Sequence, residues 1–153
     1  MVAGNRRNMV VERPGDGVWV VRFVRPDLSD QLYEDADAEV NPLYQELWCR
    51  VLFQIRQGQS VILNFALVER FSSAFYRCLL KVREVLASRG ARLILCRLSP
   101  EHKEVFALFK GFDLFRVVPT ELRAAHEALT RREAAVPAVR RQRPRPSENG
   151  NCS

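Results

Sequence analysis

A chain of 153 residues, 47% hydrophobic and 27% charged, suits one domain with a buried core. No apolar run approaches the roughly 20 residues of a membrane-spanning helix. Residues 1–13 are polar and charged where a signal peptide would be apolar, so a soluble, cytoplasmic protein is expected. Of the net charge of +6, six arginines against two glutamates put +4 in residues 131–153 and leave the remainder nearly neutral.

Met9 to Val11 forms a short candidate strand, and Pro14-Gly-Asp-Gly17 is turn-like. Gly17-Val-Trp-Val-Val-Arg-Phe-Val24 has strand composition, so the two can pair as a hairpin. Residues 25–40 are acidic and polar, which predicts a loop with one helical turn near Leu28 to Tyr33. Asn41-Pro42 supplies the cap and first-turn chemistry of a helix, with Leu43, Leu47, Val51 and Ile55 as an apolar stripe running toward Gly58.

Ser60-Val-Ile-Leu-Asn-Phe65 and Arg92-Leu-Ile-Leu-Cys96 are apolar runs without polar alternation, as in strands covered on both faces. Between them Phe75, Leu79, Val82 and Leu86 recur at helical spacing, with Arg77, Lys81, Arg83, Glu84 and Arg89 opposite. This is a βαβ unit, predicted parallel and right-handed, with Gly90 as the left-handed terminator of its helix. Ser72 or Ser73 caps the helix, and both hydroxyls are expected near the surface.

Ser99-Pro100-Glu101 opens a third helix whose Val105, Phe106 and Phe109 face inward and which Gly111 ends. Phe115 to Val118 is the last strand, and Thr120 caps a final helix running to about Leu129. The expected fold is α/β, a small mixed four- or five-stranded sheet packed against about four helices. Residues 1–16 form an N-terminal extension, 17–130 the domain and 131–153 a disordered basic Arg/Pro tail.

Little in the sequence suggests catalysis. Cys49, Cys78, Cys96 and Cys152 lack metal-ligand spacing, and the first three fall in helix or strand patterns as small apolar residues. His102 and His126 have no partner at local spacing and are expected at the surface. Asp27, Asp30, Glu34, Asp35, Asp37 and Glu39 lack the spacing of a calcium loop and are expected to form a solvated acidic loop. No Gly-rich phosphate loop is present, and Ser72-Ser73 lacks the flanking glycines of a nucleophile elbow. No enzyme activity, cofactor or metal is therefore expected. The arginines of the tail could contact nucleic acid, but no aromatic residue interleaves them to stack on bases.

Three segments carry a family resemblance: Val68-Glu-Arg-Phe-Ser-Ser-Ala-Phe-Tyr-Arg-Cys-Leu-Leu80, Ser88-Arg-Gly-Ala-Arg-Leu-Ile-Leu-Cys96 and Phe109-Lys-Gly-Phe-Asp-Leu-Phe115. From Gly17 to Leu129 the chain resembles a STAS domain of the anti-sigma factor antagonist type. In that family an Asp-Ser pair opens this helix, and a kinase that doubles as the anti-sigma factor phosphorylates the Ser. Ser73 falls on the phosphorylated position, Ser72 replaces the Asp, and Phe75 stands where many members have Gly. The resemblance implies a regulatory protein whose Arg70, Ser72, Ser73, Ala74 and Arg77 meet an anti-sigma factor or switch serine/threonine kinase. A STAS scaffold without phosphorylation, or a nucleic-acid-associated protein acting through its tail, is the alternative.

Overall fold

The structure is a computed structural model that describes residues 8–29 and 37–130. Strands β1 (Met9–Gly15) and β2 (Val18–Phe23) form an antiparallel hairpin with Met9 opposite Phe23 and an irregularity between Glu12 and Gly15. Strands β3 (Ser60–Asn64), β4 (Arg92–Cys96) and β5 (Arg116–Val118) add in parallel, in the order β1-β2-β3-β4-β5. The helices are α1 (Pro42–Arg50), α2 (Ser73–Ser88), α3 (Pro100–Leu108) and α4 over residues 121–130. The predicted α/β fold, a mixed sheet against four helices, is the one observed.

Period-two alternation sends the strand residues into two cores. Trp19, Val21, Phe23, Val61, Leu63 and Leu95 join the core shared with α1, α2 and α3. Val18, Val20, Ile62, Ile94, Cys96 and Val118 face the other way, against Ala124 and Ala128 of α4. Both faces of β3 are therefore covered, which is why all of Ser60–Asn64 is buried and why its sequence shows no polar alternation. Ala124 and Ala128 are one turn apart, and their small side chains let α4 lie close to the sheet.

Several local expectations are corrected. Helix α1 stops at Arg50, followed by a 3₁₀ turn at Leu52–Gln54 and extended backbone at Ile55, although the apolar stripe through Val51 and Ile55 is buried as predicted. The Leu52 carbonyl accepts from the Arg89 guanidinium, so α2 holds the chain where a longer helix would have run. Leu28 and Ser29 are not helical, and the rest of the turn predicted near Leu28 to Tyr33 lies outside the described residues; a 3₁₀ turn occurs instead at Ala38–Val40. Phe109 is 49% exposed rather than facing inward, and Val105 is only half-buried. After α3 the left-handed residue is Lys110 (φ 56°), not Gly111. Gly111 meets a spatial demand, because a Cβ there would lie 2.7 Å from the Phe106 ring and 2.9 Å from the Tyr76 hydroxyl. Gly90 does adopt the predicted left-handed conformation, at φ 70°. The tail over residues 131–153 lies outside the described residues.

Candidate functional site

The loop between β3 and α2 presents the two serines. It begins with Asn64, whose Oδ1 accepts the Ala66 N–H at 2.8 Å, and Phe65 N–H reaches the Cys96 carbonyl at 3.1 Å. Further along, the Glu69 and Arg70 N–H groups both donate to the Pro26 carbonyl, at 2.6 and 3.0 Å, and Leu28 N–H donates to the Arg70 carbonyl at 2.9 Å. The segment after β2 thus pins the loop from one side. An ion pair at 2.7 Å between Arg70 and Asp27 adds to this, although the Arg70 side chain is 75% exposed. The Asp27 carboxyl is held below its ordinary range by the Ser29 hydroxyl and N–H, with Arg70 contributing after them.

Ser72 is the N-cap of α2: its backbone is extended (φ −96°, ψ 171°) and its Oγ accepts the Phe75 N–H at 3.3 Å. Ser73 is the first helical residue and is exposed, at the positive end of the helix macrodipole. Arg70 precedes it by three residues and Arg77 follows by four, and both are exposed. Ala74 is turned into the core at 3% exposure and offers a partner no surface, because the helix period that exposes Ser73 and Arg77 buries Ala74, Phe75 and Cys78. The accessible face therefore consists of Arg70, Ser73 and Arg77, with Ser72 partly exposed beside them.

Beneath the serines lies an aromatic platform. Phe75 is fully buried, with its ring centroid 5.5 Å from Phe23, 6.2 Å from Phe65 and 5.6 Å from Phe71. His102 completes the platform and was expected at the surface; it is 3% exposed. Its N–H donates to the Ser99 Oγ at 3.1 Å, while its own Nδ1 accepts the Ser99 N–H at 3.2 Å, a capping box that closes the start of α3. The sequence signal was present in the Ser-Pro-Glu-His order, since the third helical position is where a capping-box side chain sits. The ring Nε2 lies 3.3 Å from the Glu69 carbonyl, and the ring centroid is 5.1 Å from Phe71. Both ring nitrogens are thus engaged away from the serine hydroxyls.

The other sequence candidates are scattered. Buried Cys78 and Cys96 have thiols pushed up by desolvation to about 11 and about 12, whereas Cys49 is exposed because it lies off the inward stripe of α1. His126 is exposed on α4. Among the described residues, no group of three or more His, Cys, Asp or Glu side chains assembles as a metal site would require, and no helix is long and apolar enough to cross a membrane.

Comparison with known proteins agrees with this architecture. A family model of the STAS domain matches residues 44–124. An anti-sigma-factor antagonist (STAS) domain protein from Planctomyces limnophilus is similar in structure, with a TM-score of 0.61 and 18% identity, over 79% of this chain and 97% of that one. The anti-sigma factor antagonist SpoIIAA in its unphosphorylated form aligns with a TM-score of 0.55 and 16% identity, over 80% of this chain and 97% of that one. The murine solute carrier 26 anion transporter A9 also contains the fold, with a TM-score of 0.58 and 16% identity, over 74% of this chain but 18% of the transporter. No curated protein matches the sequence. With the family model spanning more than half of its length, the chain belongs to the STAS domain family.

Proposed function

We propose that this STAS domain is a non-catalytic regulatory module that docks an anti-sigma factor or switch serine/threonine kinase through Arg70, Ser72, Ser73 and Arg77, and that phosphorylation of Ser73 controls the docking. The observation that carries the reading is the placement of Ser73: exposed, on the first turn of α2, with an arginine three residues before and four residues after it. A phosphate there brings a charge of about −1.5 to −2 to a helix N-terminus, where the macrodipole favours it. The isolated domain therefore tolerates the modification. A partner docked on the same face must bury that charge, which costs several kcal/mol without a counterpart of its own. In this reading partner binding and phosphate occupancy exclude one another.

The departures from the family pattern favour a second reading, a STAS scaffold that docks constitutively. Ser72 takes the place of the family's Asp, and the bulky Phe75 fills the aromatic platform where many members have Gly. One experiment separates the two. The full chain is used to capture its partner from the native cell, phosphate is mapped by mass spectrometry, and calorimetry compares Ser73→Asp with Ser73→Ala. Regulation by phosphate predicts phosphoserine at Ser73 and at least about tenfold weaker binding by Ser73→Asp. Equal affinities and an unmodified Ser73 would leave the constitutive scaffold.

A further inference from the structure

Asp27, Glu69, Arg70, Phe71, Glu101 and His102 are among the residues lining a cavity of about 400 Å³ beside the loop that leads to the two serines. Its inner wall is the His102 ring, which touches three things at once: the start of α3 through Ser99, the loop backbone through the Glu69 carbonyl, and the loop side chain Phe71. A carbonyl only accepts, so Nε2 must carry the proton facing Glu69, and the Ser99 N–H requires a bare lone pair on Nδ1. The surroundings therefore fix one neutral tautomer. Phe65 packs from β3's end with its centroid 6.2 Å away, and the ring is 3% exposed.

We infer that His102 is the positioning residue of the loop carrying Ser72 and Ser73, a latch that holds the Glu69–Phe71 backbone while its ring is neutral and releases it when the ring is protonated. A proton on Nδ1 would face the Ser99 N–H, donor against donor, and an imidazolium would be confined between Phe65 and Phe71. The ring must then turn toward water, and its contacts with Glu69 and Phe71 go with it. The charged groups nearby do not abolish this cost. Asp27 is already paired with Arg70, and Glu69 and Arg70 are exposed on the loop. Glu101, on the same helix, favours the imidazolium, as does the bond to Glu69, but desolvation outweighs both and lowers the affinity for the proton from the ordinary 6.5. The latch is therefore closed at neutral pH and opens as pH falls below that value.

What the released loop does rests on the proposed docking function; the latch itself is read on the free protein. In nuclear magnetic resonance spectra of the full chain, His102 should show the Nε2–H tautomer and titrate below the ordinary histidine value of 6.5. The amide shifts of Glu69, Arg70 and Phe71 should follow the His102 midpoint. Hydrogen-exchange protection of the Glu69 and Arg70 amides should drop by about tenfold or more across it. His102→Gln, which retains a side-chain acceptor at this capping-box position, should abolish the pH step, and His102→Ala should leave those amides poorly protected at every pH. Loop amides that ignore the His102 titration, or the same pH step in His102→Gln, would overturn the latch. If His102→Ala does not fold, the wild-type titration and the Gln variant decide the matter. Loss of the latch with intact Ser73 phosphorylation, or the reverse, tells the two proposals apart.

Discussion

Arg22 of β2 grips Glu121 of α4 across 99 positions of sequence, through Nε at 2.9 Å and Nη2 at 2.6 Å. The same carboxylate accepts from Asn64 Nδ2 at 2.8 Å, and Asn64 is the residue whose Oδ1 turns the chain out of β3 toward the two serines. A side chain of α4, on one face of the sheet, thereby braces the loop that leaves the C-terminal end of the central strand. Removing Glu121 leaves a partly buried guanidinium and a buried amide short of a partner. Glu121→Ala is expected to cost about 1 to 3 kcal/mol in denaturant unfolding. Arg22→Ala should cost less than that, and the double variant less than the sum; strictly additive losses would contradict a shared network.

Acid should loosen the hold on α4. Glu127 lies between Arg116, at 2.7 Å, and Arg92, at 3.3 Å, and these bonds, Arg116 first, hold its carboxyl near pH 2 against an ordinary 4.5. A carboxyl with a depressed folded value contributes stability that is complete above about pH 4.5 and is lost as pH falls toward 2. Screening at this partly exposed site limits the contribution to on the order of 1 kcal/mol. Melting temperature against pH should therefore fall less steeply between pH 4.5 and 2 in Glu127→Gln than in the wild type.

Tyr76 has a buried hydroxyl with no hydrogen-bond partner, pressed into the space kept open by Gly111. Its ring stacks on Phe109 at 4.8 Å and meets Phe106 and Phe115 edge-on. Tyr76→Phe removes an unsatisfied polar atom and keeps the ring contacts, so chemical denaturation should show stability unchanged or raised by up to about 1 kcal/mol. Gly111→Ala should cost about 1 to 3 kcal/mol through overpacking, and less of that when combined with Tyr76→Phe.

The adjacent serines should behave differently. Ser72→Ala removes the cap acceptor and is expected to destabilise the fold by about 0.5 to 2 kcal/mol. Ser73→Ala should change stability by under about 0.5 kcal/mol, because Ser73 is exposed and is not the cap. Ser73→Asp should match or exceed the wild type by about 0.3 to 1 kcal/mol at low salt. Thermal unfolding of the three variants checks this ordering; a larger loss for Ser73→Ala than for Ser72→Ala would reverse the assignment of the cap.

The sheet was legible because β3 and β4 are short apolar runs flanked by helix signals, and Asn41-Pro42, Ser72, Ser99-Pro100 and Thr120 each cap the helix they announce. What sequence could not show was set by contacts distant along the chain. The end of α1 depends on Arg89, 37 positions beyond the Leu52 carbonyl that it holds, and the burial of His102 depends on Glu69, 33 positions before it. Phe109 satisfies helical spacing but comes after α3 has ended, where the left-handed Lys110 redirects the chain. At the site, the position of Ser73 followed from local capping chemistry, whereas the burial of Ala74 required the phase of α2 against the sheet. The capping box of Ser99 and His102 was readable in the sequence, but the contact that tucks this histidine beneath the loop was not, because its partner there is the Glu69 carbonyl and a backbone carbonyl has no residue letter.

Strand order in the sheet follows chain order without a reversal. Each parallel pairing therefore closes over one crossover alone: residues 24–59 between β2 and β3, 65–91 between β3 and β4, and 97–115 between β4 and β5. The hairpin can form first, and every later strand finds its neighbour already in place, so the loop-closure entropy is met in small instalments instead of one long search. Folding should consequently be faster than in a doubly wound sheet of equal length, where a strand must bypass its predecessor to reach the opposite edge.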